Sequence, residues 1–520
     1  MKTKNDKANW KLIAGMILII QILLGIALVG IVMWLNLLPA VYVTLIGVVL
    51  LWLATVVYYF FYSGITKKKK KTLTKEQRKK RIYIKRTAGC TISGLVMVLC
   101  IVASSMLVQA GNTLRKVSDQ IVMTDTVSVY VLKENPANDM LDAKDFTFAV
   151  TENQDYENTK KAVVEINGQV GAVIATQSFD SMFDMVDALY GGEVDAMILN
   201  AAYVDLIESQ DEYEDFSDKT KTLFDHEMET IVAESSQTLE KDITKEAFVI
   251  YISGSDTRKK GLSGNTRSDV NILAVVNPTT KQVLLINTPR DYYVDIPVSE
   301  GAKDKLTHCG VYGIDCSMDT LSNLYDEHVD YYVKINFRGF ETLIDAIGGI
   351  TIESEKSFTT YKDNYYISEG TNQLNGAYAL SYVRERKAFA DGDNARGRHQ
   401  MQMIEAIIKK VSSGTTILTN YSAILSSMEG MFTTNMSQQE ISALVKMQLT
   451  DGAGWNVKSF AVNGSGSKQH VYSMPGKRTY VTVPDETTVS YAKLLIDKTI
   501  DGVILTDEDM VQPTYTETEE

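Results

Sequence analysis

Two neighbouring strings, FVIYISGSDTR at residues 248–258 and TRSDVNILAVVNPTTKQVLLINTPRDYYVDIP at 266–297, decide the fold. Between them lies a Gly/Ser/Asn linker. Phe248–Ile252, Val270–Val276 and Val283–Ile286 are short runs of Val, Ile and Leu bounded by turn residues, which predicts three buried strands. Asn277, Pro278, Thr279 and Thr280 form a tight connection, so the second and third strands read as a hairpin. In a hairpin the start of one strand lies beside the end of the next. Arg267 and Asp269 open the second strand, and Arg290 and Asp291 close the third. All four charges therefore gather at one edge of a buried sheet. Asp256 joins them if the first strand ends at the same edge. Arginines beside carboxylates at strand ends point to an anion-binding, metal-assisted site rather than to scattered loop charges.

The chain has 520 residues, which predicts two or three domains. Its formal charge of -13 is unevenly spread. Residues 1–90 hold 16 basic residues against Asp6 and Glu76, leaving 36 basic and 63 acidic residues in the remainder. A basic head on an acidic body fits a membrane protein whose head meets an anionic leaflet, and the acidic body argues against nucleic-acid binding. Leu12–Leu35, Tyr42–Phe61 and Cys90–Ala110 are each about long enough to span a bilayer. The loop 62–89 carries Lys67–Lys71, Lys75, Arg78–Arg81, Lys85 and Arg86, so the positive-inside rule makes it cytoplasmic, together with the N-terminus. Three crossings then put residues after about 111 outside a plasma membrane. A cleaved signal peptide is rejected because the first segment is too long and two more spans follow.

Cys90 and Cys100 fall in the third span and read as packing. Cys309 and Cys316 fall outside, where a disulfide depends on geometry that the sequence does not give. The five histidines are scattered and read as structural rather than as zinc ligands.

Residues 112–241 read as an accessory α/β domain. Residues 112–122 continue the third helix as a stalk. Strands follow at Val127–Leu132, Phe146–Val150, Val170–Thr176 and Ala196–Leu199, with helices at Thr159–Ile166 and Ser178–Tyr190. Asp211–Asp218 reads as a solvated acidic run. Structure, spacing and partner contact all remain open as roles of the accessory domain.

Residues 242–506 read as an α/β/α sandwich with a mixed sheet, and 507–520 as an acidic tail. Helices are predicted at Ser317–Tyr325, Phe340–Ile347, Leu374–Val383, Asn394–Val411, Ile417–Phe432, Gln438–Gln448 and Thr487–Leu495, and strands at Tyr331–Ile335, Ile350–Ile352, Trp455–Val462 and Arg478–Val483 around a Gly464–Ser467 loop. Arg384 and Arg386, two apart on an extended segment, present two guanidinium groups to one side, which suits a pyrophosphate. Asp393 is a candidate N-cap for the next helix, whose first turns carry Arg396 and Gln400 on one face beside free N–H groups. Arg398 points elsewhere. Ile404, Ile407, Ile408 and Val411 form its apolar stripe.

The strings SGSDTR, RSD and TPRD, with YVRER from Tyr382 and DNARGRHQ from Asp393, resemble the LytR–CpsA–Psr family, membrane enzymes that attach glycopolymers to bacterial cell walls. The resemblance covers roughly the second half of the chain plus the membrane arrangement. It implies that Arg267, Arg290, Arg384, Arg386, Arg396 and Gln400 hold the pyrophosphate of an undecaprenyl-linked polysaccharide, with Lys305 near the lipid phosphates and Asp256 and Asp269 near a Mg2+ ion. It implies peptidoglycan as acceptor, a phosphodiester product, and an apolar pocket for the polyprenyl tail that Ile404 and Ile408 would help line. His399-Gln400-Met401 departs from the Arg-Gln-Gln of many members but leaves Gln400 usable.

The expected activity is phosphotransfer, with pyrophosphate hydrolysis as a side reaction. Asp269 or Asp291 is the candidate general base and Arg290 the charge-stabilising partner. Three spans and a long accessory domain match the capsule-associated members, with capsule synthesis proteins as further partners. The alternatives are a membrane-anchored regulator of capsule synthesis and a pure lipid-binding scaffold, which has no use for the acidic pair.

Overall fold

The computed structural model describes residues 2–36, 38–63, 74–118, 121–153, 155–232, 241–255, 265–299, 301–413, 424 and 431–512. They divide into two compact units, Met1–Arg115 with Ile417–Ser426 and Gln438–Ala453, and Lys116–Thr416 with Ser427–Ser437 and Gly454–Glu520.

The first unit is built on helices Lys2–Leu35, Ala40–Tyr62 and Lys75–Ser118. Each is long and apolar enough to cross a membrane, over Asn9–Leu35, Ala40–Tyr62 and Glu76–Gln109. The third helix starts well before Cys90 because the Lys-, Arg- and Gln-rich stretch ahead of it consists of good helix formers. Inside the bundle the Ser93 hydroxyl donates to Gln21 Oε1 at 2.7 Å, so each satisfies a polar group of the other. Helix Gln438–Asp451 belongs to this unit, and its Lys446 Nζ donates to Asn36 Oδ1 at 2.6 Å.

The second unit contains two mixed sheets. The first comprises β1 (Ile121–Leu132), β2 (Thr147–Thr151), β3 (Ala175–Phe179), β4 (Ala196–Asn200) and β5 (Thr220–Val232), in the order β3-β2-β4-β1-β5. Several expectations shift here. The stalk helix ends at Ser118 and β1 begins at Ile121. The helix Tyr156–Val170 runs to a left-handed Gly171 cap, so the strand expected from Val170 starts only at Ala175. Ser178 is in β3, and Ser181 caps the next helix by accepting from the Asp184 N–H. β5 was masked in sequence by its alternating Lys, Asp, His and Glu residues. The acidic run before it buries Tyr213 and Phe216.

The second sheet comprises β6 (Phe248–Ser255), β7 (Val270–Asn277), β8 (Gln282–Asn287), β11 (Tyr331–Asn336), β16 (Phe432–Thr434) and β17 (Asn456–Ala461), in the order β16-β11-β6-β7-β8-β17. Smaller strands complete the numbering: β9 (Tyr293–Asp295), β10 (Lys303–Lys305), β12 (Ile350–Ser354), β13 (Phe358–Thr359), β14 (Tyr366–Ile367), β15 (Gly370–Leu374), β18 (Gly464–His470) and β19 (Arg478–Pro484). β7 and β8 are antiparallel with Asn277 opposite Gln282, and the Asn277 side chain accepts from the N–H groups of Thr279 and Thr280 to close the hairpin. β7 and β8 are buried along nearly their whole length because helices cover both faces. Helices Ile314–Tyr325 and Glu486–Ile500 bury Leu321, Tyr325, Val489 and Leu495 against Tyr251, Leu273 and Leu284 on one face. Helix Asp393–Ser412 crosses β7, β8 and β17 on the other. It lies so close to β8 that a Cβ at Gly397 would collide with the Asn287 side chain. Its stripe Ile404, Ile407, Ile408 and Val411 is half-buried rather than buried.

The Gly464–Ser467 segment is not a loop, since it opens β18, which pairs with β19. The helix expected over 417–432 lies largely outside the described residues, and Phe432 begins β16. The start of the acidic tail is tied down by a Lys498–Asp509 ion pair at 2.9 Å. The two sheets share a core: Met182, Val186, Leu189 and Phe216 from the first region cluster with Val311, Val471, Met474 and Val481 from the second.

Candidate active site

The hairpin does what its register requires. Asp269 precedes β7 and Arg290 follows β8, and Arg290 Nη1 donates to Asp269 Oδ1 at 2.8 Å. Arg290 Nε lies 3.6 Å from Asp291 and 3.7 Å from Asp393, within ion-pair range but too far for a hydrogen bond. Lys305 Nζ holds the other Asp291 oxygen at 3.2 Å. Asp393 also pairs with Arg396 at 2.9 Å and Arg386 at 3.9 Å. Asp393 is the first helical residue, with Gly392 at the cap position, so its carboxylate is free to serve the arginines instead of the helix end.

These loops enclose a cavity of about 610 Å³. Arg267, Arg290, Asp291, Lys305, Arg386 and Asp393 all line it. The cavity lies at the N-terminal end of helix Asp393–Ser412, where Gly392 and Asn394 complete the wall. Thr479, Tyr480 and Thr482 of β19 form a further side, and Tyr480 is 52% exposed. One wall residue, Ser209, comes from the first α/β region, which also sends Asp205 to Arg267 at 3.5 Å.

The electrostatics are unbalanced toward cations. Burial works against the charge on Arg290, yet Asp269, Asp291 and Asp393 outweigh it and hold its proton more tightly than usual. Burial would push the Asp269 carboxyl up, but Arg290, Arg267 and Arg396 hold it below the usual carboxylate range. Arg396 is pulled below the ordinary arginine value by burial, against the counterweight of Asp393 and with Arg290 and Arg386 crowding it. Among the described residues, buried Arg267 Nε, Arg290 Nε and Thr307 Oγ1 have no hydrogen-bond partner. Buried donors left unpaired are costly.

Not every expected residue reaches this cavity. Arg384 is the last residue of helix Gly376–Arg384, and its guanidinium lies 4.3 Å from the Phe337 ring centre. Arg384 and Arg386 therefore do not form one fork, because the buried Glu385 between them accepts from the N–H groups of Tyr361 and Ala388 and turns the chain. Asp269, Arg396 and Gln400 are not among the residues that line it, and Gln400 is buried. Asp269 is committed to Arg290, and Asp291 sits between Arg290 and Lys305, which weakens both as proton acceptors. Asp256 lies outside the described residues. Cys309 and Cys316 are free, buried thiols in the core beneath β6–β8. Thr307 and His308 of the cavity wall were not singled out in the sequence, although Asp304 and His308 are four apart, a helical spacing that brings side chains together.

The LytR_cpsA_psr family profile matches residues 207–487. A "Polyisoprenyl-teichoic acid--peptidoglycan teichoic acid transferase TagU" of Enterococcus faecalis is 35% identical over 226 residues, covering 43% of this chain and 73% of that protein. Its namesake in Halalkalibacterium halodurans is 32% identical over 246 residues, covering 46% and 76%. The crystal structure of B. subtilis TagV aligns at 28% identity with a TM-score of 0.42, covering 49% of this chain and 98% of that one.

Proposed function

Since the chain belongs to the LytR_cpsA_psr family, we propose that it transfers a glycopolymer from a polyprenyl pyrophosphate to peptidoglycan. The observation that carries this reading is a cavity lined by four basic side chains, Arg267, Arg290, Lys305 and Arg386, at the N-terminal end of a helix. A pyrophosphate offers several oxygens to such a set, and forked arginine contacts select for it. An acceptor sugar hydroxyl attacks the polymer-side phosphorus, the bridging P–O bond to the lipid phosphate breaks, and lipid monophosphate leaves. Arg267, Arg290, Arg386 and Lys305 would bind and orient the pyrophosphate and absorb the charge that develops on its oxygens. The exposed Tyr480 ring at the rim offers a stacking face for a sugar.

Magnesium belongs to the proposal. Among the described residues no three His, Cys, Asp or Glu side chains converge on one point. Such an ion would be held by one or two carboxylates and otherwise by substrate phosphates. Asp269 would hold it with Asp256, and the ion would neutralise pyrophosphate charge. The relatives are named for teichoic acid. Here the three apolar helices and the added α/β region support capsular polysaccharide as the first cargo to test. In the proposed topology the basic 62–89 segment faces the cytoplasm and the second unit faces the cell wall.

The full chain in detergent micelles, given a polyprenyl-pyrophosphate-linked glycan, magnesium and a peptidoglycan fragment, should release lipid monophosphate only when acceptor is present. Arg290→Ala should lower that rate about 100-fold or more. Chelating magnesium should abolish it. Tight lipid binding without turnover in any condition would favour a scaffold, a reading in line with the Asp269–Arg290 pair already being satisfied.

A further inference from the structure

The wall of the cavity contains one group that the arginine cluster does not use. His308 lines the cavity and is 2% exposed. Its Nδ1 lies 2.7 Å from Asp304 Oδ1 and 2.8 Å from Ser473 Oγ. Asp304 and Ser473 are both 0% exposed. The Asp304 carboxylate also accepts from the Lys305 N–H and the Ser473 N–H, each at 2.7 Å. Facing a carboxylate already fixed by two backbone donors, Nδ1 carries a proton, and in the neutral ring the lone pair is then on Nε2. Among the described residues Nε2 makes no hydrogen bond, and it is absent from the buried unpaired atoms that include both nitrogens of His399. With Nδ1 turned into the protein, Nε2 is on the edge of the ring that meets the cavity.

We infer that His308 is the general base of the transfer, oriented by Asp304 and Ser473 and aimed at the acceptor hydroxyl in the cavity that holds the pyrophosphate. This rests on the phosphotransfer reading and deepens it. The arrangement has the logic of a base held in one tautomer by a buried acid. As the acceptor oxygen bonds to phosphorus and the bridging P–O bond breaks, the hydroxyl proton passes to Nε2. The resulting imidazolium is stabilised by Asp304, and the departing lipid phosphate takes the proton on. Asp269 and Asp291, each held by a cation, then serve as positioning residues for Arg290 and Lys305. The next chain neighbours support the geometry. Thr307 N donates to Arg290 O at 2.8 Å, so the histidine segment is bonded directly to the arginine loop.

The test uses full-length protein in micelles and compares wild type with His308→Gln and His308→Ala. Binding of the lipid pyrophosphate and melting temperature serve as controls. The expected result is a 100- to 10,000-fold fall in acceptor-dependent kcat, with donor affinity within threefold of wild type. Added imidazole should restore part of the rate to His308→Ala, an effect a merely structural histidine would not show. Transfer by His308→Gln within threefold of wild type, or a loss that tracks donor affinity with no imidazole rescue, overturns the inference and leaves the phosphotransfer reading standing. A wild-type chain that binds donor but transfers to no acceptor overturns both.

Discussion

The two α/β regions of the second unit are built alike but carry opposite charges on the loops that meet. Each is a mixed sheet with helices packed on it, and in each the strand-end loops carry the ionic groups. Around β6–β8 those loops bring Arg267, Arg290, Lys305 and Arg386 to one cavity. The loops of the first region bring acids toward the second: Asp125 accepts from the Asn265 N–H and side chain at 3.1 Å, Asp205 pairs with Arg267, and Glu212 pairs with Lys477. Architecture therefore does not separate the anion-binding sheet from its neighbour; the residues at the strand ends do. The acidic loops act as counter-charge to the basic side chains, so in the proposed reaction an anionic substrate would compete with Asp205 at Arg267.

The largest expected effect concerns acid. His399 is buried among Phe358, Tyr382 and Phe389, and burial holds its pKa down to about 4. An unfolded histidine titrates near 6.5, so this group's stability is present above that pH and is lost as pH falls through 4, about 3 kcal/mol at pH 4. In the first region Asp155 is pushed up to about 6 by burial, partly offset by hydrogen bonds from Asn200 and Asn158. Its contribution has the opposite sign, present below the usual aspartate range and lost as pH rises through 6. Hydrogen exchange between pH 4 and 7 should show protection around His399 falling with acid and protection around Asp155 rising. His399→Phe should flatten the first response alone. Parallel responses in both regions would break the contrast.

Smaller effects sharpen the counter-charge. Arg267→Ala should reduce kcat/KM about 10- to 100-fold, about 1.4 to 3 kcal/mol of transition-state stabilisation. Asp205→Ala, on the other side of the same ion pair, should lower donor KM two- to fivefold, because the substrate no longer displaces a carboxylate. A KM that rises in Asp205→Ala would show the first region to be a substrate contact instead. Smallest of all is Lys477→Ala. Its ion pair with Glu212 is partly exposed, and thermal melts should change by less than about 1 kcal/mol.

The hairpin was legible because its signals are local. Short apolar runs, a tight turn and flanking charges fix the register, and the register alone sets Asp269 beside Arg290. Helices with strong periodicity, such as Asp393–Ser412, were legible for the same reason. The fork expected of Arg384 and Arg386 was not. It assumed an extended backbone where the helix runs through Arg384, and Phe337, far away in sequence, takes the guanidinium. β5 was hidden because half of its residues are polar, and its pairing with β1 rather than its composition makes it a strand.

By itself the sequence determined the three apolar helices, the basic and acidic halves, and the edge where the arginines gather, since each follows from residue periodicity or short-range spacing. The tertiary structure alone decided that Ser473 reaches His308 from 165 positions away, that Asp304 fixes the ring between them, and that Asp205 of one sheet answers Arg267 of the other. The Ser473–His308–Asp304 set forms because burial removes these groups from water and leaves only each other as partners, whereas the largely exposed Asp205 answers Arg267 through charge. No local pattern in the chain encodes which distant residue that partner will be.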